Sequence, residues 1–171
     1  MSIRHLTHAG LFAALLAICA WICIPVGDLP ITLQTCGVFL ALLCLGGKWG
    51  TLSILIYLLL GAVGLPVFST FQGGFGVLLG PTGGFLRGFL LSGLVYWALE
   101  RLNKPAALIC GMLTCYLFGC LWFLHWSGGG FGFVLLRCVI PYLIPDGLKL
   151  ALAWQLSRRL APQLHKTLSG T

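Results

Sequence analysis

Six apolar stretches, roughly 6–25, 31–47, 50–65, 81–99, 105–126 and 132–157, take up most of this chain. A helix that crosses a bilayer needs about 20 mostly apolar residues. Hydrophobic residues make up 59% of the 171 and charged residues 8%, whereas a soluble domain carries about 25% charged residues. No room remains for a sizeable soluble domain. The pattern predicts an all-α integral membrane protein, a single domain over residues 1–171 with six transmembrane helices. The first stretch resembles a signal sequence, with Arg4 ahead of an apolar run. No A-x-A-type cleavage site followed by a soluble chain comes after it, so it is read as a span.

The formal net charge of +7 could suggest nucleic acid, but its placement argues otherwise. Arg4 precedes the first stretch and Lys48 sits between the second and third. Arg101 and Lys104 lie between the fourth and fifth, while Arg158, Arg159 and Lys166 follow the sixth. The opposite connections, around 26–30, 66–80 and 126–131, hold no Lys or Arg. Cytoplasmic loops carry such an excess of basic residues, so the charges predict both termini in the cytoplasm and a multi-pass protein of the inner cell membrane, surrounded by lipid. They give no support to a nucleic acid partner.

Four ionisable side chains, Arg87, Arg137, Asp146 and Lys149, lie inside apolar stretches. A charge at the centre of a spanning helix costs about 2.5–3.5 kcal/mol. Such residues usually face inward, onto a partner, an ion or a polar ligand. Arg87 and Arg137 have long stems and could instead snorkel to the headgroups. Asp146 has no such reach. On a helix, Asp146 and Lys149 would lie about 60° apart on one face. Pro141 and Pro145 precede them, and a proline inside a helix kinks or breaks it. The expectation is that 132–144 packs obliquely near the outer surface and that a new helix starts around Pro145, where proline suits the first helical position. Asp146 and Lys149 would then stand in the outer half of the membrane, near a helix N-terminus.

The outer connection Leu65–Gly80, LPVFSTFQGGFGVLLG, is uncharged, glycine-rich and unusually apolar. The stretch 127–132, SGGGFG, resembles it. Irregular backbone near the membrane is tolerated where it is buried in protein or lines a cavity. These loops therefore read either as a flexible cover over a pocket open to the exterior, with Phe71, Gly73 and Gly74 in the moving part, or as interfacial turns anchored by phenylalanines. Gly80, Gly84, Gly88 and Ser92 recur every four residues and form a stripe that lets a neighbouring helix approach closely. Ala9, Ala13 and Ala17 form a second small-residue ridge on the first stretch. The eight cysteines make no C-x-x-C pair and no His completes a zinc site, so they read as small hydrophobes. No Walker A run, H-E-x-x-H or G-x-S-x-G is present. No cofactor is implied, and uphill transport would draw its energy from a partner or an ion gradient.

Four stretches together resemble a known family. Pro30-Ile31-Thr32-Leu33-Gln34-Thr35 follows the first span, and Gly61-Ala62-Val63-Gly64-Leu65-Pro66-Val67-Phe68 closes the third. Gly80-Pro81-Thr82-Gly83-Gly84-Phe85 opens the fourth, and Pro145-Asp146-Gly147-Leu148-Lys149 opens the last. Their order and spacing resemble the BioY family, the biotin-binding S components of energy-coupling factor (ECF) transporters. The resemblance implies a six-helix membrane protein that captures biotin from outside. A protein of that kind is a binding component and no enzyme, and it often works with a transmembrane coupling protein and two cytoplasmic ATPases. It implies Asp146, Lys149, Arg87, Thr32 and Gln34 as biotin-binding residues, and Ala9, Ala13 and Ala17 as the docking face for the coupling protein. Two other readings stay open: a solitary carrier of biotin or another small organic acid, coupled to protons through Asp146, and a membrane enzyme using Asp146 and Lys149 as an acid/base pair, which would need a nucleophile or metal motif that is not apparent.

Overall fold

The computed structural model describes residues 3–24 and 29–169, with side chains as far as Leu164. The outer connection expected around 26–30 therefore lies largely outside the described residues, as does the Lys166 side chain. Helix α1 runs Ile3–Trp21. A two-residue antiparallel ladder follows, β1 (Cys23–Ile24) pairing with β2 (Ile31–Thr32), and returns the chain to the bundle. Helix α2 spans Gln34–Ala62. A short 3-10 turn, Ser69–Phe71, and helix α3 (Phe75–Leu79) form the next connection. Helices α4 (Gly83–Leu99), α5 (Lys104–Ser127), α6 (Phe131–Cys138) and α7 (Ile140–Ser169) complete the chain.

Helix α2 is a hairpin rather than one rod. Gln34 Nε2 donates to Tyr57 Oη at 3.0 Å, whereas 23 residues of straight helix would hold those positions about 35 Å apart. The reversal falls at Gly46, whose φ of 78° only glycine adopts readily. Glu100 Oε2, at the end of α4, accepts the Gly47 N–H at 2.8 Å, so a carboxylate caps the start of the second arm. The expected break at 48–49 thus lies two residues earlier, and the hairpin has two arms, 34–45 and 47–62.

The small-residue stripe of α4 packs against α5. A Cβ on Gly84 would lie 2.3 Å from Trp122 Cβ, and one on Gly88 would lie 3.0 Å from Cys115 Sγ. The core runs between α1, both arms of α2, and α4, around Leu16, Phe39, Leu42, Tyr57 and Tyr96. Among the described residues, α1, α2, α5 and the combined α6–α7 segment are long and apolar enough to cross a membrane, and α4 is a shorter apolar helix. One face of α5, carrying Leu113, Leu117 and Leu121, is exposed at helical spacing, as a lipid-facing stripe should be.

One expectation is corrected here. Helix α7 begins at Ile140, not Pro145. Pro141 falls in its first turn, where no N–H bond is lost, while Pro145 is carried inside the helix. The alanine ridge of α1 faces inward in the isolated chain. Ala9, Ala13 and Ala17 are 0%, 1% and 6% exposed, and Ala13 and Ala17 belong to the core cluster with the α2 residues. Small side chains that let helices approach closely serve internal packing equally well, and this ridge does so.

Candidate functional site

Asp146 and Lys149 occupy successive turns of one face of α7, and both are buried. Lys149 Nζ donates to Asp146 Oδ1 at 2.7 Å. The same oxygen accepts from Thr35 Oγ1 at 3.0 Å, and Oδ2 accepts from Tyr116 Oη at 2.5 Å. One carboxylate therefore ties the start of α2, the middle of α5 and the second turn of α7 together. A buried charge must be paired and hydrogen-bonded to be tolerated, and this one has three donors. A carboxylate offers about four acceptor sites and an ammonium three donors. Asp146 thus keeps about one acceptor position, and Lys149, bonded among the described residues to Asp146 alone, keeps two donors.

Both groups line a cavity that opens between the helices. Its empty space, open mouth included, is about 810 Å³. Phe39, Phe85, Leu86, Phe89 and Met112 give it an apolar wall. Thr32 and Gln34 reach it from the β2–α2 junction, Ser92 from α4, and Ser69 and Thr82 from the connections on either side of α3. Thr32 Oγ1 accepts the Gln34 N–H at 3.3 Å, which fixes the entry to α2. Such a site suits a mostly apolar molecule with a compact polar group offering both a donor and an acceptor. Among the described residues, no three His, Cys, Asp or Glu side chains converge as metal ligands.

The structure brings Asp146, Lys149, Thr32 and Gln34 to this one cavity. Arg87 is not among the residues that line it. The guanidinium is engaged with the carbonyls of Leu78 and Gly83 and stacks on Trp122. Phe71, Gly73 and Gly74 do not line the cavity either, although Ser69 of the same loop does. Phe71 is 65% exposed and stacks on Trp21 at 5.1 Å. A Cβ on Gly73 would lie 2.3 Å from Leu65 O, and Gly74 has φ 100°. Tyr116 and Thr35 are the residues that sequence reasoning missed. A tyrosine in a span is a usable signal, because its hydroxyl needs a partner where water is absent.

Residues 1–166 match the BioY family. The chain belongs to that family. It is 38% identical over 160 residues to the probable biotin transporter BioY of Pyrococcus horikoshii, covering 94% of this chain and 98% of that one. It is 51% identical over 104 residues to the biotin transporter BioY of Thermotoga maritima, covering 61% of this chain and 62% of that one. In three dimensions it resembles the crystal structure of the S-component for biotin from an ECF-type ABC transporter. That likeness has a TM-score of 0.83 at 27% identity and covers 92% of this chain and 90% of the other.

Proposed function

We propose that this BioY-family chain is the biotin-binding S component of an ECF-type transporter, acting in biotin uptake as a multi-pass protein of the cell membrane. It is a transporter component and not an enzyme. The observation that carries the reading is the Asp146–Lys149 pair at an apolar cavity, in a chain whose relatives are biotin transporters. Biotin has a ureido ring with two N–H donors and a carbonyl, an apolar bicyclic body, and a valerate tail ending in a carboxylate.

The geometry favours one orientation. Asp146 and Lys149 stand 2.7 Å apart, so they meet the same end of the ligand. The ureido group presents an N–H beside a C=O. It complements the free acceptor of Asp146 and the spare donors of Lys149, and charge-assisted bonds of this kind are the stronger ones. Gln34, also on the cavity, serves the ring. The valerate tail then runs along the aromatic wall toward the mouth, where the Ser69 and Thr82 hydroxyls receive the carboxylate.

The proposed topology has six spans, counting the two arms of α2, with both termini cytoplasmic. His5 stacks on Trp49 at 4.8 Å and Glu100 caps Gly47. The start of α1, the α2 hairpin and the α4–α5 turn therefore meet at one end, the end that carries Arg4, Lys48, Arg101 and Lys104. Residues 1–171 act as one substrate-binding unit. No ATP-binding motif is visible in the sequence, so a transmembrane coupling protein and two ATPases supply the driving force. The test is equilibrium binding of labelled biotin to the purified chain in detergent. Saturable binding is expected, weakened at least roughly tenfold by Asp146→Asn or Lys149→Ala. Absence of saturable binding, or wild-type affinity in both variants, contradicts the proposal.

A further inference from the structure

The outer connection meets the body of the protein through a polar knot that lies off the cavity. Arg87 Nη2 donates to Leu78 O at 3.0 Å, and Arg87 Nε donates to Gly83 O at 3.2 Å. The guanidinium carbon sits 3.8 Å from the centre of the Trp122 ring. Trp122 Nε1 donates to Gly80 O at 2.9 Å. Two stacked side chains, one from α4 and one from α5, thus bind carbonyls along the whole α3–α4 turn. Gly84 leaves the room that the indole occupies.

Among the described residues, little else holds α3. None of its residues is buried, and only Val77 and Leu78 pack part-way against the core. The far end of the same connection is fastened by apolar contact instead. Phe68 is buried against Gly61 and meets Tyr57 edge-on at 5.6 Å. Gly74, with its positive φ, stands between the two anchorages. Thr82, Phe85 and Leu86, directly after the knot, line the cavity.

We propose that Arg87 and Trp122 form a latch that fixes α3 and thereby positions the Thr82 rim against a bound ligand. Arg87 is then a positioning residue that sets ligand retention without touching the ligand. The chemistry requires arginine: a planar guanidinium stacks on an indole while its N–H groups reach two carbonyls, and a lysine ammonium cannot do both. Carbonyls at membrane depth need such partners, because no water is available to replace them.

The proposal rests on the biotin reading only for the ligand used as probe. The experiment uses the purified full chain, labelled biotin, and biotin amide, whose tail carries no charge. Arg87→Gln and Arg87→Lys should each speed dissociation roughly tenfold while changing association less than about twofold, since retention is read in the off-rate. The factor should be the same for biotin and its amide. Trp122→Phe, which keeps a ring and loses one N–H bond, should give about a threefold effect. In the ligand-free protein, amide hydrogen exchange in residues 75–80 should rise in all three variants, with residues 38–45 unchanged. Rescue by Arg87→Lys, or an Arg87→Gln effect seen with biotin and absent with the amide, would mean that Arg87 pairs with the ligand carboxylate and would overturn the latch. Unchanged exchange in 75–80 would overturn it as well. If the wild type binds no biotin, the functional reading fails by itself and the exchange result alone decides the latch.

Discussion

Asp146–Lys149 and Arg87 look alike in the sequence, as charges kept inside apolar spans, but they differ in what their bonds leave over. The Asp146–Lys149 pair lines a cavity with about one acceptor and two donors uncommitted. Arg87 is engaged with two backbone carbonyls and an indole face, away from the cavity. A costly charge in a membrane protein therefore marks a structural or a binding role, and the count of unused donors and acceptors at a cavity tells the two apart. Both regions answer the same rule, that polar groups in lipid must find partners within the protein. One finds them in the backbone, and the other keeps donors and an acceptor at a cavity.

The comparison breaks most visibly when one member of the pair is removed. Asp146→Ala leaves the Lys149 ammonium buried without a counter-charge, at a cost of about 3–5 kcal/mol. A lower unfolding temperature in detergent and loss of biotin binding are both expected. Replacing both residues by leucine should restore most of the stability, because well-packed apolar substitutes for buried ion pairs are often neutral or stabilising. Binding should stay lost. If the double variant binds biotin, the pair is structural, like Arg87. Tyr116→Phe removes one bond to the Asp146 carboxylate, and hydrogen bonds to charged groups are worth about 1.5–3 kcal/mol. Calorimetry should show biotin affinity reduced about tenfold or more, with the protein still folded.

Smaller effects sharpen the contrast between internal and exposed surfaces. Ala13→Trp forces a large ring into a packed core, which typically costs about 1–3 kcal/mol or more. Both biotin binding and monodispersity should suffer together, as judged by size exclusion and binding on one sample. Intact binding with a selective loss of transport would return the ridge to a docking role. Gly74→Ala places a Cβ at φ 100°, a strain costing about 1–3 kcal/mol. It should raise hydrogen exchange in residues 75–80 and leave the Asp146 site unperturbed.

Much of the fold was legible because lipid imposes few solutions. Long apolar runs specify spanning helices, and the connections stand out by their glycine, proline or basic residues. The four motif stretches led to Thr32, Gln34, Asp146 and Lys149, all of which meet at the cavity. What stayed hidden depends on which way a residue points. Ala9, Ala13 and Ala17 share a face, but spacing alone does not say whether that face meets the core or the surroundings. Pro145 suggested a helix start, yet the α7 helix carries it inside, beginning at Ile140. Thr35 and Tyr116 are neutral, so neither raised the insertion cost that drew attention to the charged residues. Arg87 did raise that cost, and its partners are backbone carbonyls, which no sequence pattern displays.

The central claim is that the Asp146–Lys149 pair receives the ureido head and leaves the tail at the mouth. Displacement of labelled biotin from the purified wild-type chain tests it most directly. Biotin amide keeps the ureido head and loses the tail charge, while pentanoate keeps the charged tail and loses the head. The account predicts that the amide displaces biotin within roughly tenfold of biotin itself, a loss of about 1.4 kcal/mol, and that pentanoate does not displace it. Displacement by pentanoate with failure of the amide would place the carboxylate on Lys149 and contradict the account.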